Sequence, residues 1–215
     1  MKYQELFQCL KGVGDLDLSS LCLPVEGTAY GLFPINCQAD RIDDRTVRML
    51  TEARNSNSAS FLTYFTATAE RTAGWLAGAV AGDPSRILFS VSNIESNDHY
   101  GYMGLAYGDP AGARIEGDAI VRFAGKSEPG LMRSAFSRLV NWAKLDLGIG
   151  DVWVRVLSDN PAVGFYELCG FSRVKETPLY ETRGPHGELV ELSEIPSVDC
   201  AGESSRTLVH MRCSV

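Results

Sequence analysis

Glu116 and Asp118 stand two residues apart in a run, Arg114 to Phe123, that reads as a β-strand, so their carboxylates share one face of it. Two adjacent carboxylates raise one another's pKa, which brings one closer to working pH. That is equipment for a general base or an amine anchor. The plainer reading is a pair of exposed strand carboxylates beside Arg114. Farther along, Tyr166 lies with Ala162, Phe165 and Cys169 at helical spacing. A phenol titrates near pH ~10, so at neutral pH it still holds a proton that it can donate as an acid. Between these groups, Lys126-Ser-Glu-Pro-Gly130-Leu-Met-Arg133 joins turn residues to two cations. His99, beside Tyr100 at the start of another apolar run, is an alternative base.

The elements around these residues follow from pattern. Ser127 suits an N-cap and Pro129 a first helical turn. Met132, Ala135, Phe136, Leu139, Ala143 and Leu147 then recur at three- and four-residue spacing, and Gly148 and Gly150 stop the helix. The run Asp151 to Leu157 reads as a buried strand. Strand, helix and buried strand in succession imply a right-handed crossover with parallel pairing. The helix then starts beyond the end of the first strand, where its free N–H groups favour an anion. Next, Asp159 or Asn160 caps a second, short helix that Gly170 ends.

The segment Ser158-Asp159-Asn160-Pro161-Ala162-x-x-Phe165-Tyr166-Glu167-x-x-Gly170-Phe171 resembles a signature of the GNAT superfamily of acyl-CoA-dependent N-acetyltransferases. Residues from about Asp83 to Glu181 fit the family order, and Arg206 to Met211 is similar to its closing strand. The resemblance implies an α/β GNAT fold: a central, splayed mixed sheet of about seven strands with about four helices. It implies acetyl-CoA as cosubstrate, wedged between the family's fourth and fifth strands. The main chain of Ile120, Val121 and Arg122 would meet the pantetheine arm, with Asn160 and Phe165 beside it. Lys126, Gly130, Leu131, Met132 and Arg133 would hold the pyrophosphate. The family's loop usually reads R/Q-x-x-G-x-G/A; here Ser127 and Met132 depart from it while Gly130 is kept. In this resemblance Glu116 takes the place of the family's catalytic glutamate, and Tyr166 that of the tyrosine that protonates the leaving thiolate. Asp118, Arg71, Trp75 and His99 fall where an acceptor could be met, although a core position is the simpler reading of Trp75.

Composition narrows the field. With 45% apolar and 22% charged residues, the chain is an ordinary globular one. Its net charge of −7 disfavours nucleic acid and accords with a cationic or amine substrate. The first residues carry no signal-peptide core, and no apolar run approaches membrane-spanning length. Six scattered cysteines without a C-x-x-C pair read as free thiols in the cytoplasm, and three histidines without ligand spacing suggest no metal site.

Taken in order, residues 1–27 read as an N-terminal arm or extension, a helix plus an irregular stretch, packed on its own domain or on a second subunit in a homodimer, and 28–215 as one GNAT domain. Helices are expected from Asp43 or Asp44 to about Arg54 and from Thr68 to Val80, strands from Arg86 to Val91 and from Tyr100 to Tyr107. Ser172 to Glu181 and Glu188 to Ile195 form a hairpin; Pro196 to Ser205 is a polar loop and Arg206 to Cys213 closes the sheet. The expected function is transfer of an acetyl group to a primary amine of a small molecule, in a direct ternary complex without an acyl-enzyme. Thr68-x-Glu70-Arg-Thr72-x-x-Trp75-Leu76, the Pro129-Gly-Leu-Met132 loop and Tyr100-Gly-Tyr-Met-Gly104 are similar to GNAT members of bacterial sugar-nucleotide and polysaccharide pathways, which suggests an amino-sugar nucleotide and leaves protein N-termini, amino acids and aminoglycosides open. The other reading is a catalytically silent module that binds acyl-CoA or a partner.

Overall fold

Residues 2–213 are described by the structure, a computed structural model. They divide into two units. Unit 1 takes the described residues up to Arg54 together with Ala67–Val152, and unit 2 takes Asn55–Thr66 and the described residues from Trp153 on.

In unit 1 the strands β1 (Leu23–Pro24), β2 (Tyr30–Pro34), β3 (Ile87–Asn93), β4 (His99–Ala106) and β5 (Arg114–Arg122) lie side by side in chain order, each antiparallel to the next. Alternation places Phe89 and Met103 inward, where both are fully buried. The helices are α1 (Tyr3–Leu10), α2 (Asp44–Ser56, whose end passes into unit 2), α3 (Ala69–Trp75, continued by a π turn over Leu76–Val80) and α4 (Leu131–Asn141, continued by a π turn over Trp142–Asp146). The Trp142 ring of the α4 continuation stands 5.6 Å from Phe89 and 5.9 Å from Phe7 of α1. Residues expected as an arm are thus built into this unit: Phe7 and Leu10 are fully buried, and β1 pairs with β2. Lys11 is fully buried too, and its ammonium donates to the carbonyls of Val80 and Asp83, both at 2.8 Å. It caps the helix end that follows α3, and burial lowers its pKa to about 8.

In unit 2 the order is β6 (Asp151–Leu157, entering from unit 1), β9 (Cys200–Cys213), β7 (Phe171–Arg183) and β8 (Leu189–Ser193), all antiparallel neighbours. Leu157, Leu179, Leu192 and Leu208 form its core, with Leu62 and Tyr64 packed against them. A polar clamp sits beside it. Glu194 accepts hydrogen bonds from His210 Nε2 at 2.6 Å, Thr177 at 2.8 Å and Arg155 at 3.2 Å. The short helix α5 (Ala162–Leu168) follows β6.

Several expectations need correction. The described residues hold nine strands and five α-helices, against about seven and four. β1 is too short and too proline-rich to show alternation. The helix after β5 starts at Leu131, not near Ser127: Gly130 takes the N-cap position at φ +81°, a left-handed turn that a residue with a side chain resists. β9 begins at Cys200, so the polar residues before Arg206 are strand, held by pairing with Tyr180 to Thr182 rather than by their own alternation. Trp75 is half-buried rather than a core tryptophan.

Candidate functional site

In unit 1, β5 carries a bulge. Tyr102 pairs with Val121 and Gly104 with Asp118, so Met103 alone faces both Ala119 and Ile120. Ala119 has φ +52°, a conformation that costs a residue with a Cβ about 1 kcal/mol. Such a bulge releases main-chain groups from the ladder next to the site of the two carboxylates.

Both carboxylates meet arginines. Glu116 is buried, with 5% of its surface exposed, and its Oε1 lies 2.7 Å from a guanidinium nitrogen of Arg114. Asp118 lies 3.1 Å from Arg86 Nε. Arg86 also donates to the Tyr107 hydroxyl at 3.2 Å and stands 6.0 Å from the centre of the Trp75 ring. Arg114 is thus the neighbour of Glu116, but the two carboxylates are not the exposed pair of the plainer reading: Glu116 is buried and Asp118 half-buried. Arg86 is the residue that sequence reading missed; nothing local distinguishes an arginine at a strand start. It brings two suggested acceptor residues, Asp118 and Trp75, around one guanidinium. Arg71 lies on the exposed side of α3, where its main-chain N–H donates to the capping hydroxyl of Thr68 at 3.2 Å.

His99 is elsewhere. It opens β4, whereas Glu116 pairs with Ala106 at the other end of that strand, roughly 20 Å away at the usual rise per residue. Its Nδ1 is 2.6 Å from Ser90 Oγ and 3.0 Å from Ser92 Oγ. Burial, and then the nearby Arg45, push its pKa below the ordinary histidine range.

The loop from β5 to α4 is pinned by Tyr100, the first residue of the Tyr100-Gly-Tyr-Met-Gly104 run. Its hydroxyl accepts from the Glu128 N–H at 2.5 Å and donates to the Glu128 carbonyl at 2.9 Å. Val121 and Leu131 are buried, while Arg122, Lys126 and Arg133 are exposed. Gly130 starts the helix, and the N–H of Leu131 donates to Glu128. Met132, which departs from the family's small residue, packs on the sheet: a Cβ added to Gly101 would lie 3.0 Å from its sulfur. Its bulk is therefore received by a glycine of β4. Beside the helix start lies a cleft of about 430 Å³, with Thr28, Tyr30, Glu128, Arg133 and Ser134 among its lining residues. A helix start, the Arg133 cation and open space suit a phosphate, while the Glu128 carboxylate shares the lining.

In unit 2, Asn160 Oδ1 accepts from the Ala162 N–H at 2.9 Å and so satisfies the first free N–H of α5, whose N-cap position is Pro161. Phe165 is half-buried and Tyr166 is 8% exposed. The Tyr166 ring lies 5.4 Å from that of Phe165 and 6.0 Å from that of Phe171. Gly170, at φ +85°, ends the helix as its type predicts. Among the described residues, no group of three or more His, Cys, Asp or Glu is placed to hold a metal ion, and no helix is long and apolar enough to cross a membrane. None of the six cysteines is paired in a disulfide.

A bulged strand, a glycine-started helix, a strand, a short capped helix and a long returning hairpin make up the fold of the GNAT acetyltransferases. Solved structures match it over most of the chain. A probable acetyltransferase (GNAT family) from Chromobacterium violaceum has a TM-score of 0.65 at 18% identity, covering 90% of this chain and 85% of its own. A GCN5-related N-acetyltransferase from Brucella melitensis has a TM-score of 0.59 at 17% identity, covering 87% and 76%. The spermidine/spermine N-acetyltransferase SpeG from Vibrio cholerae has a TM-score of 0.57 at 16% identity, covering 86% and 91%. No family model matches the chain. No curated protein matches it by sequence.

Proposed function

We propose that this protein is an N-acetyltransferase that moves an acetyl group from acetyl-CoA to a primary amine of a small molecule. The observation that carries this reading is the sequence of features along one strand: the buried carboxylate of Glu116, the bulge at Ala119, and the glycine-started helix beyond. Acetyl-CoA supplies an activated thioester. The residues present suit it: the α4 start and the Arg133 cleft answer its phosphates, and the Met132 side chain is accommodated on Gly101.

Glu116 is assigned the amine proton, directly or through a water, and Tyr166 the proton that the departing thiolate takes up. Main-chain N–H groups released by the bulge are suited to polarising a carbonyl. Attack is direct. No cysteine stands at the positions given to acid and base, so no acyl-enzyme is invoked. Asp118 and Trp75, gathered around Arg86, are assigned to the acceptor side. An amino-sugar nucleotide is the first acceptor to try. Polyamines belong in the same screen, because one similar structure is a spermidine/spermine acetyltransferase and the chain carries a net charge of −7.

A second reading has its own support. The Arg114–Glu116 ion pair holds the proposed base against a cation, as a silent acyl-CoA-binding or partner-binding module would tolerate. Thermal-shift titration with acetyl-CoA, CoA and desulpho-CoA, followed by a thiol-release screen of amines, separates the two. A ligand at about 100 times its Kd stabilises by roughly 2.7 kcal/mol, which shifts the melting midpoint by several degrees. A shift together with thiol release supports the enzyme; a shift without release from any amine supports the module; no shift with millimolar ligand overturns the cofactor assignment.

A further inference from the structure

Arg206 of β9 carries out a task that no signature residue announces. Its Nε and one terminal nitrogen donate to Asp159 Oδ1, at 3.1 and 2.7 Å. The same terminal nitrogen donates to the Ala59 carbonyl at 3.1 Å, and the other to the Tyr64 hydroxyl at 2.5 Å. Asp159 sits in the turn between β6 and α5, next to the asparagine whose side chain accepts from the first N–H of α5. The same turn is tied to β9 twice more: the Ser158 N–H donates to the Thr207 carbonyl at 3.0 Å, and the Thr207 N–H to Ser158 Oγ at 3.4 Å. Residues 59–64 are held in turn by β8, through Tyr64 N–H to Val190 and Leu192 N–H to Leu62, both at 2.7 Å. One planar guanidinium thus joins the β6–α5 turn to the 59–64 segment, with a fork of donors that a lysine cannot reproduce.

We infer that Arg206 is a positioning residue of the transfer reaction: through Asp159 it fixes the direction in which α5 leaves β6, and with it the Asn160 side chain and the Tyr166 phenol. This rests on the reading of Tyr166 as the acid. A reacting group displaced by about 1 Å can cost a hundredfold in rate. A short helix whose leading turn is held by this ion pair, the Asn160 side chain and two hydrogen bonds to β9 is sensitive to such a shift.

The test is a double-mutant cycle on kcat and on KM for acetyl-CoA, using Arg206→Ala, Arg206→Lys, Asp159→Asn and Tyr166→Phe. Asp159→Asn changes one charge on a side chain that is 58% exposed, which keeps the test open should Arg206→Ala fail to fold. Expected is a loss in kcat of about tenfold or more for Arg206→Ala, partial recovery with lysine, and a loss in the Asp159→Asn variant. In the Tyr166→Phe background the Arg206 change should cost little more, because the phenol it positions is gone. Losses that multiply in the double variant, or an Arg206→Ala enzyme with unchanged kcat and KM, overturn the inference and leave the acetyltransferase reading standing. A wild-type protein that acetylates no amine in the screen overturns both.

Discussion

Arg114 and Glu116, two residues apart on β5, form a 2.7 Å ion pair in which the carboxylate is buried and the guanidinium is half exposed to solvent. The guanidinium therefore sits on the solvent side of the carboxylate, and a cationic amine would compete with it. Replacing Glu116 by glutamine keeps the shape and removes the base. The expected result is a fall in kcat of about a hundredfold or more, with acetyl-CoA binding retained in thermal shift. Turnover close to wild type would remove Glu116 from the mechanism. Arg114→Ala separates the two readings of the pair: higher activity marks the arginine as a brake on the base, and lower activity as its support.

Lys11 gives a stability prediction with a defined sign. Its pKa is about 8 in the folded protein against an ordinary 10.5. Between those values the unfolded chain binds a proton that the native state has released, so this group adds stability as pH rises through the window. The Lys11→Met variant lacks that gain and also leaves the carbonyls of Val80 and Asp83 without their donor. Its deficit relative to wild type should be about 2–3 kcal/mol at pH 7 and should grow toward pH 10. Urea unfolding at three pH values measures it; a deficit that shrinks with pH contradicts the assignment.

His99 acts in the opposite part of the scale. Its pKa is held below the ordinary 6.5 by burial and by Arg45. The stability it contributes is present above pH 6.5 and is lost as pH falls through the folded value. Replacing His99 by asparagine, which can still bond Ser90 and Ser92, should flatten the decline below pH 6.5. Because His99 lies at the far end of β4 from Glu116, the same variant should keep the wild-type pH dependence of kcat. A lost limb in that profile would return His99 to the list of bases.

Ala119 holds a left-handed conformation in the bulge. Glycine adopts it without the Cβ penalty, so Ala119→Gly should raise stability by up to about 1 kcal/mol, read as a higher melting midpoint. A lower midpoint would mean that the alanine methyl is itself packed against β4.

What the sequence disclosed was local. Asn160, Ala162 to Tyr166 and Gly170 lie within eleven residues, and each signals its position through backbone chemistry that no distant contact alters. Glu116 and Asp118 were legible as a pair because strand period alone sets their common face. Their partners were not equally legible. Arg86 reaches Asp118 from a separate strand, and only the β3–β4–β5 register brings them together. The bulge at Ala119 carries no glycine or proline to mark it. The strand over Cys200 to Ser205 exists because β7 offers it a ladder, a tertiary cause with no trace in its own residues. Likewise Gly130 rather than Ser127 starts α4, since an available hydroxyl matters less there than the left-handed turn.

The hydrogen bonds from residues 62 and 64 to β8 also bear on solubility. A terminal strand of a sheet presents unpaired donors and acceptors that can recruit the same strand of another molecule. In unit 2 that rim is shielded by a piece of chain drawn from between α2 and α3, far away in sequence. In unit 1 the corresponding rim is blunted by brevity, a two-residue strand ending in Pro24. A fragment beginning at Trp153 would carry β7 to β9 but not their shield, and should expose the β8 edge to self-association.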